Sequence, residues 1–244
     1  MNPKKRVETI THWIKDYCFK NNKNNLIIGI SGGIDSAVTS TLCAKTGINT
    51  IPVSMPILKH PKLESRSLSH IKWLKKKFNN ISEKNINLSN IYENFKKDLN
   101  KFQSEHGLAN SQARLRMTTL YQIATYYDGL VVGTGNKVED FGIGFYTKYG
   151  DGGVDISPIA DCLKTQVWDM GKELEILEEI IEADPTDGLW ADGRTDQDQV
   201  GLNYQEIEKA MMDEKSINRS RYIEIRKKNL HKMNPIPICK FDFD

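Results

Sequence analysis

The run Leu26-Ile27-Ile28-Gly29-Ile30-Ser31-Gly32-Gly33-Ile34-Asp35-Ser36 constrains this chain more than any other stretch. Five apolar or glycine positions precede Ser31, the pattern of a strand covered on both faces of a parallel sheet. Gly32 and Gly33 open the backbone to conformations closed to other residues and let a ligand come close. Ile34, Val38 and Leu42 then recur at helical spacing. Asp35 and Ser36 fall in the first helical turn, where side-chain oxygens are expected to satisfy free amides. Glycine amides and hydroxyls converging on a helix N-terminus make an anion site.

The anion is expected to be a phosphate, yet the common phosphate loop, G-x-x-x-x-G-K-[ST], is absent from the chain. An acid, Asp35, stands where that loop leads one to expect a lysine. An acid beside phosphate repels it unless a cation lies between, and Mg²⁺ held by Asp35 and phosphate oxygens resolves the conflict. The plainer reading is a strand-to-helix turn that uses glycine for geometry alone. Two glycines between two hydroxyls, followed by an acid, exceed what a turn requires. Ser31-Gly32-Gly33-Ile34-Asp35-Ser36 resembles the SGGxDS loop of the ATP pyrophosphatase superfamily, whose members split ATP between the α- and β-phosphates.

A net charge of +2 on 244 residues gives no electrostatic case for nucleic-acid binding. The chain has 39% hydrophobic and 27% charged residues, ordinary for a folded α/β domain, and one domain over 1–244 is expected. Met1 to Ile10 is polar, with no apolar signal core. The apolar runs are too short to cross a bilayer. Cys18, Cys43, Cys162 and Cys239 form no Cys-x-x-Cys pair, which argues against zinc and for reduced thiols in the cytoplasm.

Along the chain, Val7, Ile10, Trp13, Ile14, Tyr17 and Cys18 share one face of an opening helix. Asn49 to Met55 reads as a second strand, with Pro52 marking an irregularity or an edge. Leu68, Ile71, Leu74 and Phe78 mark a helix whose Lys75-Lys76-Lys77 run is a solvated face. A short strand is expected at 85–88. Ile91, Phe95, Leu99 and Phe102 suggest a further helix. A long helix over 110–127 and a buried strand over 129–133 follow. The stretch 140–156 reads as a functional loop. A helix is expected from Leu163 to about Ala183, a polar, mobile segment over 184–201, and a charged helical tail from Tyr204. Alternating strands and helices predict an α/β fold, a parallel sheet with helices on both faces and ligands beyond the carboxyl ends of the strands.

Further blocks narrow the resemblance. Gly133-Thr134-Gly135-Asn136-Lys137-Val138-Glu139-Asp140 and the run from Gly144 to Asp155 resemble the NAD synthetases in residue type and order. Asn110 to Met117, Leu163-Lys164, Pro185-Thr186-Asp187 and His231-Lys232-Met233 extend the resemblance, which runs in one register from about Leu26 to Cys239. It implies the adenine-nucleotide α-hydrolase-like (ATP pyrophosphatase) fold and amide synthesis. The carboxylate of deamido-NAD (nicotinic acid adenine dinucleotide) attacks the α-phosphate of ATP, the co-substrate. Pyrophosphate leaves, and ammonia converts the acyl-adenylate to NAD and AMP.

The resemblance also implies roles. Gly29, Ile30, Ser31, Gly32, Gly33, Ile34, Asp35 and Ser36 would form the ATP loop, with Thr134, Lys164 and Thr186 as further ATP contacts. Asp35 and Glu139 would hold Mg²⁺. Arg114, Lys148, Asp155, His231 and Lys232 would hold deamido-NAD. No residue is assigned as a nucleophile. Arg116 stands evenly between a surface ion pair and a site role. The chain departs from the family pattern at Ser54 to His60, and no adenine contact is assigned there. No added glutamine-hydrolysing domain is expected, so free ammonia is the expected donor. Family members are homodimers with the dinucleotide site near the interface. Competing readings are a tRNA-modifying or GMP-synthetase-like ligase, which predicts a basic extension and working cysteines, and a non-catalytic nucleotide-binding module, which predicts loss of the metal carboxylates.

Overall fold

A computed structural model describes residues 1–57, 60–190 and 192–241. Helix α1 (Pro3–Lys20) leads into β1 (Asn25–Gly29), α2 (Ile34–Lys45), β2 (Asn49–Ser54), α3 (Pro61–Lys77), β3 (Lys84–Asn85), α4 (Ser89–Asp98) and α5 (Glu105–Tyr127). Next come β4 (Leu130–Val131), a wide π turn (Lys137–Ile143), and helices α6 (Lys164–Glu173), α7 (Glu178–Ile181), α8 (Asp196–Val200), α9 (Tyr204–Met212) and α10 (Arg219–Met233). The strands pair in parallel in the order β3-β2-β1-β4.

Burial on both faces explains the apolar run in β1. Leu26 and Ile28 pack with Val7, Ile14, Val38, Leu42, Val167 and Met170, from α1, α2 and α6. Ile27, one step out of phase, packs with Ile51, Val131, Tyr92 and Ala124, on the face covered by α4 and α5. Each such aliphatic side chain taken from water contributes about 1.5–3 kcal/mol. A third cluster lies away from the sheet. Val138, Ile143, Val200, Leu202, Tyr204, Ile207, Ala210 and Tyr222 join the π turn to α9 and α10.

Several expectations change in detail. Pro52 is not on an edge strand, because β2 lies between β1 and β3. Its missing N–H falls on the side where Thr50 donates to Asn80, and there the pairing breaks between Thr50↔Ile81 and Val53↔Lys84. The α4 face differs from the expected one: Ile91 and Phe102 are exposed and Tyr92 is the buried side chain. Trp13 is 44% exposed, while Val7, Ile10, Ile14 and Cys18 carry the buried face of α1. The helix expected from Leu163 to Ala183 breaks after Glu173, where Glu175 takes a φ of 56° and the chain restarts as α7. Within the expected loop 140–156, the first residues complete the π turn, which Asn136 initiates by accepting from the amides of Val138 and Glu139. The segment 184–201 is polar as expected, but its α8 buries Asp196.

Candidate active site

A cleft of about 400 Å³ opens at the carboxyl ends of the strands, lined by the β1–α2 turn, the residues after β2 and β4, and the 184–190 segment. Gly32 has a φ of 87°. A Cβ there would lie 2.4 Å from the carbonyl oxygen of Leu63, so a bare glycine is what lets α3 close against the turn. Gly32 does not itself line the cleft, whereas Gly29, Ile30, Ser31, Gly33, Ile34, Asp35 and Ser36 do. The Ser36 hydroxyl donates to the Gly33 carbonyl (3.0 Å) and accepts from the Ser31 amide (3.3 Å). The expected capping of α2 by its own Asp35 and Ser36 does not occur. Among the described residues no side chain caps that helix, because Asp35 is turned toward a cation and Ser36 toward the preceding turn. The uncapped N-terminus keeps the amides and dipole that favour an anion.

Asp35 belongs to an acidic centre. Lys164, the first residue of α6 and 2% exposed, places its Nζ 2.5 Å from Asp35 Oδ2 and 2.8 Å from Glu139 Oε1. Burial works against the charged ammonium, but the two carboxylates outweigh it and hold Lys164 above the ordinary lysine range. Burial raises Asp35, and Lys164 only partly reverses the rise. Burial also acts to raise Glu139, but Lys164 and hydrogen bonds from Lys164 and Tyr204 hold it below the usual glutamate range. Asn136 donates to Asp35 Oδ1 at 3.0 Å. Tyr204 bonds Glu139 Oε1 and lies 2.7 Å from Asp196 Oδ2. One phenol proton cannot serve two ionised carboxylates. Both carboxylates therefore compete for the Tyr204 hydroxyl proton, while burial, then the charge of Glu139, push Asp196 up to about 7.

The other residues singled out divide into two groups. Thr134, beyond β4, and Thr186 line the cleft. The Thr186 hydroxyl donates to the Arg194 carbonyl at 2.9 Å. Lys232 also reaches the cleft and donates to the Tyr146 carbonyl at 2.7 Å. Arg114, Lys148, Asp155 and His231 do not line it. Arg114 Nε donates to the Lys148 carbonyl at 3.3 Å. Asp155 is engaged by the fold, accepting from the Val131 amide (2.8 Å) and the Tyr121 hydroxyl (3.1 Å). His231 is exposed. Arg116 lies in the cleft wall and not in a surface ion pair: its Nε donates to the Met55 carbonyl, and burial lowers it to about 10.

The centre suits Mg²⁺. Asp35 and Glu139 present hard carboxylate oxygens to one shared cation, and their combined charge exceeds that of Lys164. Nearby, Asp140 is pushed well above its ordinary value by burial and then by Asp151, Glu139 and Asp35. Among the described residues no group of three or more His, Cys, Asp or Glu could hold a metal. The remaining ligands would have to be phosphate and water, which is how Mg²⁺ is usually bound at phosphate sites.

Comparison with known proteins decides the family. The model of the NAD synthase family matches residues 6–239. The chain belongs to the NAD synthase family. The NH(3)-dependent NAD(+) synthetase of Saccharolobus solfataricus is 39% identical over 95% of this chain and 81% of its own. That of Finegoldia magna is 34% identical over 99% of this chain and 98% of its own. Among solved structures, NMN synthetase from Francisella tularensis superposes with a TM-score of 0.90 at 33% identity, covering 99% of this chain and 100% of that one.

Two features of the site lie beyond the sequence patterns. Asn136 caps the π turn and bonds Asp35, and Asn-x-x-Glu at 136–139 is the legible helix-start pattern that signals the cap. After β2, where the sequence assigns no contact, Met55, Pro56, Ile57 and His60 line the cleft. Leu58 and Lys59, in the same departure from the family pattern, lie outside the described residues.

Proposed function

We propose that this enzyme amidates deamido-NAD with ammonia, consuming ATP and releasing NAD, AMP and pyrophosphate. The observation that carries the reading is Lys164 held between Asp35 and Glu139 at the mouth of an uncapped glycine turn. A free carboxylate is a poor electrophile. Its oxygen attacks the α-phosphorus, the bond to pyrophosphate breaks, and the resulting acyl-adenylate carries AMP as leaving group. Ammonia then attacks the carbonyl carbon, the bond to AMP breaks, and a proton is released. No protein nucleophile is needed; positioning and charge neutralisation supply the catalysis.

In this reading Gly29 to Ser36 receive the phosphates, with Thr134 and Thr186 as further ATP contacts. Lys164 shifts its ammonium toward phosphate charge. Asp35 and Glu139 hold Mg²⁺, which when bound supplies Lewis-acid neutralisation of the polyphosphate. Lys232, Arg114, Lys148, Asp155 and His231 take deamido-NAD. A homodimer with the dinucleotide site near its interface goes with this reading. Four free cysteines suit the cytoplasm. No described helix is long and apolar enough to cross a membrane.

A second reading has its own support. The likeness to an NMN synthetase at a TM-score of 0.90 favours nicotinate mononucleotide as the acid, with the same chemistry. A product assay with ATP, Mg²⁺ and ammonium separates the two: higher kcat/KM with deamido-NAD supports the first, and higher kcat/KM with the mononucleotide the second. Replacing ammonium by glutamine should abolish product. AMP release with neither acid would overturn both.

A further inference from the structure

We infer that α9 is the positioning element of the acidic centre, with Tyr204 orienting Glu139 and Glu208 orienting Lys164; this rests on Glu139 being a metal ligand. Asn203 caps α9 and forms a reciprocal pair with Glu206, which fixes where the helix begins and puts Tyr204 at its first position. Glu208 follows one turn later on the same face. Both are buried, at 8% and 5% exposure.

The two side chains hold different members of the centre. Tyr204 bonds Glu139 Oε1, and its ring lies 4.7 Å from Lys164 Nζ and edge-on to Trp168. Glu208 accepts from the Thr165 amide (2.9 Å) and the Thr165 hydroxyl (2.7 Å). Its carboxylate therefore sits on the N-terminus of α6, directly after Lys164. There it offsets the unfavourable dipole that a lysine meets in a first helical turn.

Tyr204 also reaches the segment that carries Thr186. It lies 2.7 Å from Asp196, whose amide donates to the Pro185 carbonyl at 3.0 Å. Glu139, the α6 start and the Thr186 segment are thus fixed to one another through α9. A carboxylate that must accept a metal keeps its free oxygen correctly aimed only if its other oxygen is held. Loss of such an outer hydrogen bond typically lowers metal affinity 10–100-fold.

The test uses the full chain carrying Tyr204→Phe, Glu208→Gln or Glu208→Ala. Calorimetry measures ATP affinity at low and high Mg²⁺, without deamido-NAD or ammonium, so no turnover intervenes. Tyr204→Phe should weaken ATP binding about tenfold at low Mg²⁺, recover at high Mg²⁺, and bind Mg²⁺-free ATP as wild type does. Glu208→Ala should weaken ATP with and without Mg²⁺, through Lys164. Glu208→Gln should restore much of it, since its amide still offers an acceptor and a donor to Thr165. The KM for deamido-NAD should not move in any variant. Glu139→Gln separates the two levels of the argument. If it keeps Mg²⁺-dependent binding, the metal-ligand reading fails. If it loses that binding while Tyr204→Phe matches wild type, the inference about Tyr204 alone is overturned. Should Tyr204→Phe fail to fold, the Glu208 pair carries the test, and equal losses in Gln and Ala would sink it.

Discussion

The acidic centre is held from two sides that are built differently. On the sheet side Asp35 stands on α2, where Ile34 and every residue from Ser36 to Ala44 are buried, and its position follows from its immediate neighbours in the sequence. On the other side, the cluster joining the π turn, α9 and α10 holds Glu139 through a bond from Tyr204, 65 residues away. Backbone geometry and dense packing fix the first side. The second depends on a few polar side chains that meet only after folding. Lys164 joins the two, which makes it the first place to break the comparison.

Lys164→Met leaves two buried carboxylates facing each other without their cation. Stability should fall by about 3–5 kcal/mol, and NAD formation by about 10²–10³-fold. Urea denaturation and steady-state rates read the two effects. A variant as stable as wild type would mean that the sides are held independently of the ammonium. Gly32→Ala attacks the sheet side alone. The left-handed backbone costs about 1–2 kcal/mol and the overlap with Leu63 about 1–3 more. Gly47→Ala has a φ of 80° but no atom within 4 Å of the added carbon. It should show only the conformational cost, and equal melting temperatures for the two variants would refute the packing argument.

Asn136→Asp sharpens the comparison at the junction. The aspartate still accepts from Val138 and Glu139, so the π turn keeps its cap. Its second oxygen now faces Asp35 where an amide donated. Losing a hydrogen bond to a charged group costs about 1.5–3 kcal/mol. The loss should shrink at acid pH as one carboxyl protonates; a loss independent of pH would place the role of Asn136 in the cap alone.

The same contrast governs what was legible in the sequence. The strand, glycine turn and helix could be read because each is local: apolar runs, φ > 0 at Gly32, helical spacing after it. Asp35 and Glu139 came with recognisable blocks, and the structure brings them to one lysine. The setting of Arg116 is not written in its helix pattern, which does not say what covers a guanidinium. Tyr204 and Glu208 sit in a charged stretch with nothing to distinguish them from solvated neighbours. Their partners, Glu139 and Thr165, lie 65 and 43 residues earlier. The break at Glu175 is equally hidden, because glutamate is a good helix former, while its φ of 56° belongs to a helix end closed by the Ile176 amide on the Gly171 carbonyl.

The smallest expected effect sets the two sides against each other through pH. On the sheet side His70 is fully buried, with its Nε2 2.9 Å from the Ser40 hydroxyl, and burial lowers it to about 4. Between pH 4 and 6.5 the unfolded histidine binds a proton that the folded one refuses. Stability from this group therefore rises with pH across that window. On the other side Asp196 is raised to about 7. Between pH 4 and 7 its folded form keeps a proton that the unfolded form has lost, so its contribution falls as pH rises. From pH 5 to 7 each amounts to about 2 kcal/mol, and the two nearly cancel. His70→Gln should unmask a stability that declines from pH 5 to 7, and Asp196→Asn one that climbs. Chemical denaturation without Mg²⁺ or ATP reads both slopes. If the two variants tilt in the same direction, buried base and buried acid do not act as opposed groups, and the electrostatic contrast between the two sides is lost.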